Sequence, residues 1–410
     1  MAPTLTETPA PRTESDSALR PRVLGRVVGS EPGPTLLVIG ALHGNEPAGV
    51  VGVERVLERL RDSNLPLDRG VFIGLVGNRR ALHEGKRYLG ADLNRHWLPE
   101  RVEAALVSRS DPDPSDVGSS SPEDWELQEL AREIDTAQQG TAEGHRTFLF
   151  DLHTFSAPGI AFSPLDDTLA NRAFASEQPA PVVLGLEEEL SGTLTSWSTS
   201  RGIVSTAFES GQHEDPVAIE RAEASVWLAL GATGLLDPER PEVIAARQRL
   251  ELDCEGLPDV VEVKYRHAIT PEDGFRMDPG YVNFQSVGAE EPLGQDRHGP
   301  VAAPLDGLIL MPLYQAQGTD GFFLVRAVHP WWLWLSAVVR RVHAERWIHW
   351  MPGVRRHDER PDTFIVDRRW ARFATLELFH LLGFQRQGDE HGRFLVMSRR
   401  PHDSWTREKR

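Results

Sequence analysis

The chain has 410 residues, 40% hydrophobic and 26% charged, an ordinary globular composition with room for about two or three domains and a sizeable core. Its formal net charge of −17 excludes nucleic-acid binding through a general basic face and means that an anionic substrate must meet local arginines. The single cysteine, Cys254, excludes an internal disulfide framework.

Residues 1–20 are rich in Pro, Thr, Ser and Glu. They predict a disordered segment and lack the apolar stretch of a secretory signal. From Arg22 onward, strands alternate with helical patterns. VLGRVVGS and TLLVIGAL read as strands, followed by a helix from about Pro47 to Arg61 and a strand GVFIGLVG at 70–77. Residues 78–97 read as a loop, and the turn-forming stretch 108–124 as a surface loop. Its end opens a helix, because Ser121 and Asp124 have capping-box spacing ahead of Trp125, Leu127, Leu130 and Ile134. RTFLFDLHTF (146–155) and GIVSTAFESG (202–211) read as further strands, with helices near 190–200 and from Pro216 to Leu230. Strands alternating with helices over 21–240 predict an α/β layered sheet.

After Leu235 the texture changes to short strands with turn glycines, predicting a small all-β domain over 255–330. Residues 331–410 combine a tryptophan-rich helix, its rings expected in a core or an interface, with a strand-like end, and form a C-terminal α+β extension of unknown role. WWLWLSAVV at 331–339 is too short to span a bilayer, so a soluble cytoplasmic protein is expected.

The chemistry concentrates at strand ends. GALHGNEPAG (40–49) puts His43 and Glu46 after a buried-looking strand, and FLFDL ends in His153. Two histidines and one carboxylate, with a position left open, are the donors of a catalytic zinc site, and α/β sheets collect ligands at the carboxyl ends of their strands. Asp151, two residues before His153, either points to the opposite face or supports a ligand. KRYLGADLNRHW adds Arg87, Asn94 and Arg95, and STAFESG adds Glu209. His83, His96 and His213 read as loop-exposed histidines, and no G-x-S-x-G supports a serine hydrolase.

As an ordered set, GALHGNEPAG, the RY…DLNR loop, DLHT and the late ESG resemble the succinylglutamate desuccinylase/aspartoacylase family, relatives of the zinc carboxypeptidases. The resemblance covers about residues 22–235. It implies a zinc-carboxypeptidase-like α/β/α layered mixed sheet with one zinc held by His43, Glu46 and His153. Further roles follow from it: Arg87 for the oxyanion, Asn94 and Arg95 for the substrate carboxylate, and Glu209 as the catalytic glutamate. A tyrosine of the β unit, Tyr281 or Tyr314, is expected at the substrate. The chain departs from the family in reading NRRAL from Asn78, with arginine directly after the Asn where relatives often have proline, and in its insertion at 108–124.

The activity implied is zinc-dependent removal of the acyl group from a small carboxylate-bearing N-acyl amino acid. The alternatives are a metallocarboxypeptidase or a non-catalytic binding protein on the same fold. The partner expected is that small molecule, with no nucleic acid and no membrane; a homo-oligomer stays open.

Overall fold

The computed structural model describes residues 19–62, 65–107, 121–342, 348, 350, 353–357, 363–367, 379, 381–390 and 394–399. The chain begins with β1 (Val23–Val28) and β2 (Glu31–Gly40), then α1 (Ala48–Asp62), β3 (Arg69–Val76), α2 (Arg79–Glu84) and a 3-10 turn at Leu93–Arg95. Next come α3 (Pro99–Val107), α4 (Pro122–Gln139), β4 (Thr147–Phe155), β5 (Ser163–Pro164), α5 (Leu169–Ala175) and β6 (Val182–Leu184). The series continues with α6 (Leu186–Glu189), α7 (Leu194–Ser200), β7 (Val204–Gln212), α8 (Pro216–Ala232) and α9 (Pro241–Asp253).

Five strands form a mixed sheet in the order β1-β3-β2-β4-β7, with β1 antiparallel to β3 and the rest parallel. The alternation along β2 shows why two helical layers are needed. Leu36 and Val38 join a core with Val53 and Leu57 of α1 and Val226 of α8. Leu37 and Ile39 point the other way, to Leu130 and Ile134 of α4 and Trp197 of α7. All four are fully buried, and each such side chain contributes roughly 1.5–3 kcal/mol. The α/β/α layering expected from the sequence is what forms.

The start of α1 sits directly on the sheet. A Cβ on Gly40 would lie 2.5 Å from the Val50 nitrogen, and one on Gly49 would lie 2.7 Å from Leu152 Cβ. Only glycine permits that approach, and it brings the helix N-terminus to the ends of β2 and β4.

Among the described residues five helices were not anticipated, the four-residue α6 among them. α2 and α5 are shorter than the window in which helical periodicity shows, and α3 follows directly on the stretch read as a loop. α9 buries only the narrow stripe Val243, Ala246 and Leu250. The anticipated cap of α4 is present, with Asp124 accepting the Ser121 N–H at 2.8 Å. Most of the stretch read as a surface loop, and the N-terminal segment read as disordered, lie outside the described residues.

The second half adds β8 (Val260–Ala268), a 3-10 turn at Pro271–Asp273, β9 (Arg276–Met277), β10 (Ser286–Val287), β11 (Pro292–Asp296), β12 (Gly299–Ala302), β13 (Gly307–Leu310) and β14 (Asp320–Ala327). One sheet runs β10-β13-β14-β8-β6-β5 and a smaller one β12-β11-β9. The larger sheet therefore extends beyond the stretch read as a separate β unit. β6 pairs with β8 in parallel, and Val183 packs with Val261 and Phe323.

The last elements are α10 (Pro330–Arg341), β15 (Val354–Arg356), β16 (Thr363–Asp367), β17 (Phe384–Glu390) and β18 (Phe394–Arg399), with sheet order β15-β16-β18-β17. α10 faces inward through Ser336 and Arg340, the latter bonded to Asp167 at 2.7 Å. Trp331, Trp332 and Trp334 are exposed, so a core role for them is not what the structure shows. Among the described residues, no helix is long and apolar enough to cross a membrane.

Candidate metal centre

β3 and β4 lie on opposite sides of β2, so the carboxyl end of β2 is a point where the sheet order switches direction. Such points open a crevice. The chain leaves β2 through Ala41 at φ 56°, a left-handed conformation that costs a non-glycine residue about 1–3 kcal/mol. Asn78 N–H donates to Ala41 O at 2.7 Å and holds it there. The turn that follows carries His43 and Glu46, closed by Glu46 N–H donating to His43 O at 3.1 Å. Gly40 is level with Leu152 on β4, which sets His153 beside that turn.

His43, Glu46 and His153 converge. One donor atom from each lies within 4.8 Å of the others, and all three residues are buried. His43 Nδ1 is 2.9 Å from Glu46 Oε1, and His153 Nδ1 is 3.1 Å from Glu46 Oε2. The outer nitrogens have carboxylate partners: His43 Nε2 is 3.0 Å from Asp92 Oδ1, and His153 Nε2 is 2.8 Å from Asp151 Oδ2. His43 Nε2 faces both Asp92 and, at 3.0 Å, the donor Arg87 Nη2. With the proton on Nε2, the His153 ring donates outward to Asp151 and turns an Nδ1 lone pair toward Glu46. That is how histidine ligands are held at metal sites. A cation fits this donor set.

The electrostatics agree. Burial alone would raise the Glu46 carboxyl and lower His153, but the imidazoles hold Glu46 well below the usual carboxylate range, while Asp151 and Glu46 hold His153 well above the usual histidine value. The pocket stabilises positive charge between Glu46 and Asp151. A divalent cation can replace that proton.

Glu209 sits next to His153 across β4 and β7. Its backbone exchanges two hydrogen bonds with Phe162, at 2.9 and 3.1 Å, which fix it on the end of β7. Its Oε2 is buried without a hydrogen-bond partner among the described residues. Burial first, then the charges of Glu46 and Asp151, push its carboxyl up to about 8.

Arg87 arrives from the loop after α2. It donates to Glu46 Oε1 at 3.2 Å and to Asp92 Oδ2 at 3.3 Å. That loop is held from beneath by fully buried Glu123 of α4, which accepts the N–H groups of Leu89, Gly90 and Ala91 at 2.7, 3.0 and 3.2 Å. Asp92 also accepts the Asn94 N–H at 2.9 Å. His43, Arg87 and Arg95 outweigh the effect of its burial and hold its carboxyl far below the usual range. Asn94 spends its Oδ1 on Leu194 N–H at 2.9 Å. Arg95 donates to the Asn94 carbonyl at 2.9 Å, and the nearest carboxylate among the described residues, Asp320, is 4.0 Å away.

The structure settles several open points. Asp151 shares a face with His153, since residues two apart on a strand point the same way, and it contacts the ring. His213 is not a loop-exposed residue: its Nδ1 lies 2.6 Å from Thr154 Oγ1 and its Nε2 3.1 Å from Gln315 Oε1. His96 is also buried, while His83 is exposed. Both tyrosine hydroxyls are engaged within the β unit, Tyr281 with Glu291 and Pro292 and Tyr314 with Asp278 and the Tyr281 N–H. Asp92 and Thr154, whose N–H donates to Glu46 Oε2 at 3.0 Å, were not singled out. Asp92 stands inside the DLNR motif, and its helix-cap position was the available signal.

Fold and donor group together define an α/β/α layered protein with three converging donors, a group that could hold a cation, at the carboxyl edge of its sheet. Residues 32–215 match the succinylglutamate desuccinylase/aspartoacylase catalytic domain. No relative among curated proteins matches the chain by sequence. Among solved structures, the succinylglutamate desuccinylase/aspartoacylase from Rhodobacter sphaeroides is similar with a TM-score of 0.53 at 19% identity, covering 74% of this chain and 88% of that one. The succinylglutamate desuccinylase from Vibrio parahaemolyticus gives 0.52 at 18%, covering 73% and 83%. A product-bound ectoine utilization protein from Ruegeria pomeroyi gives 0.50 at 17%, covering 73% and 86%. These likenesses establish the fold.

Proposed function

We infer that this chain is a zinc-dependent amidohydrolase that removes the acyl group from a small N-acyl amino acid. The observation that carries the reading is the pairing of two imidazole Nδ1 atoms with the two oxygens of one buried carboxylate, each ring braced by its own aspartate. His43, Glu46 and His153 would hold the ion, and two nitrogens with one carboxylate suit zinc while leaving a corner open. When bound, zinc lowers the pKa of a water to about 7 and polarises a carbonyl.

The rest is work for the chain's own side chains. Glu209, poorly solvated and with a free oxygen, takes a proton from the attacking water and delivers it to the departing amine. Arg87 supplies donors toward the carbonyl oxygen as negative charge develops there, and one such donor is worth on the order of 3 kcal/mol in the transition state. Arg95, with no carboxylate within hydrogen-bond distance among the described residues, presents a planar fork to the amino-acid carboxylate. Asn94 adds its amide N–H.

The test is metal analysis of the purified protein together with a hydrolysis screen over N-acyl amino acids and C-terminal dipeptides. Zinc-dependent cleavage of N-acyl amino acids supports the reading. Cleavage of dipeptides alone would replace it with a carboxypeptidase.

A further inference from the structure

α10 turns its polar side inward. The Ser336 hydroxyl donates to Leu381 O at 2.8 Å, and the Arg340 guanidinium donates to Leu381 O and Asp167 Oδ2 at 3.2 and 2.7 Å. Leu333 and Val339 flank that side and pack against the body of the protein. Trp331, Trp334, Leu335, Val338 and the C-cap Val342 follow at i, i+3, i+4, i+7 and i+11. At the helical period they form one stripe, on the side away from Ser336 and Arg340. Trp331, Trp334 and Val342 are 55%, 61% and 58% exposed. Trp332, 37% exposed, stacks on Trp331 with ring centroids 5.4 Å apart.

A contiguous apolar patch facing water marks an association surface. With roughly 150–250 Å² to bury per aromatic ring, these four exposed side chains offer on the order of 450 Å² per copy. Two copies face to face would cover about 900 Å² through them alone, most of the roughly 1,200 Å² at which stable interfaces begin. The stripe is also graded along its length. Its start is bulky with tryptophan, and its end is slight, with Val338 and Val342 beside the exposed Arg341. Charge is graded the opposite way. Carboxylates of Asp167, Glu187, Glu188 and Glu262 line a cavity beside Trp332, with Arg172 and Lys264 as its cations. Burial, and then the charges of Asp166, Glu188 and Asp167, push the Glu187 carboxyl well above the usual range, so the field at the start of α10 is negative.

We propose that this stripe is the contact face of a two-fold homodimer, in which the α10 helices of two copies pair antiparallel and Arg341 of each lies against the acidic α6 of the other. A two-fold axis sets the start of one helix against the end of its mate. Tryptophan then fills the space left by valine, and the Arg341 guanidinium meets both the negative rim and the face of Trp332. The pairing draws on no residue of the cation site, so it holds whether or not the chain is a deacylase.

The experiment is sedimentation equilibrium of the full chain over a dilution series, with circular dichroism to confirm that each variant is folded. The unaltered protein is expected to be a dimer that dissociates on dilution. Trp334→Glu and Val342→Glu, toward opposite ends of the stripe, are each expected to weaken it by about thirtyfold or more. Arg341→Glu is expected to weaken it by about tenfold, and adding Glu188→Arg to that variant to recover most of the loss. A protein that is monomeric at every concentration overturns the inference, whatever the variants do. So does a dimer left intact by folded Trp334→Glu or Val342→Glu. A monomer that binds phosphatidylglycerol vesicles through these tryptophans would assign the stripe to a membrane surface instead. A charge-swapped double variant no tighter than Arg341→Glu alone would contradict the antiparallel arrangement.

Discussion

Asp151 Oδ2 lies 2.8 Å from His153 Nε2, and the two residues stand two apart on one face of β4. The strand itself delivers the partner that orients the ring, and removing that partner leaves His153 in place but loosely aimed. Asp151→Asn is expected to fold normally and weaken zinc binding by about 10–100-fold, measured by competition with a chromophoric chelator. Undiminished affinity would mean that Asp151 does not support the ligand.

Glu209 is expected to act on the reaction and not on the ion. Glu209→Gln should retain zinc in full and lower kcat by about 10²–10⁴-fold, with KM little changed. Zinc loss from this variant would place Glu209 among the ligands instead.

A pH effect follows from the same side chain in metal-free protein. Its folded carboxyl is raised to about 8 from an ordinary value of 4.5, so the protonated form is favoured by folding. The associated stability is fully present below pH 4.5 and is lost as pH rises through about 8. The slope over that window is at most about 1.4 kcal/mol per pH unit. In thermal melts of chelator-treated protein, the unaltered chain should lose stability relative to Glu209→Gln between pH 5 and 8. Parallel curves would contradict a desolvated carboxyl at this position.

Arg87 bridges Glu46 and Asp92, and a shorter side chain cannot reach both. Arg87→Ala is expected to cut kcat by about 10²–10³-fold while leaving the amino-acid end of the site able to bind. Arg95→Gln is expected instead to act mainly through KM, because it removes the fork for the substrate carboxylate. Steady-state kinetics on the two variants separate these outcomes.

Much of this was legible in the sequence because it is local. The continuous apolar run of TLLVIG, the histidine and glutamate just beyond it, and DLHT on a second strand place three donors at strand ends without reference to any fold. What the sequence hid was made by distant chain segments meeting. Gln315 accepts from Asn45 Nδ2 across 270 residues of chain, and only its neighbour Tyr314 draws attention to that stretch. His213 looked like one more histidine in a polar turn, and only its contacts with Thr154 and Gln315 bring it inward. The pairing of β6 with β8 was equally invisible, because three apolar residues, Val182 to Leu184, carry too short a pattern to reveal their partner.

The measurement that bears most directly on the three-donor site is the zinc content of purified protein, set beside that of His43→Ala and His153→Ala. One zinc per chain in the unaltered protein, lost in both folded variants, is the expected result. A folded, unaltered protein that takes up no zinc or other divalent ion, or variants that keep the full complement, would contradict the site described for His43, Glu46 and His153.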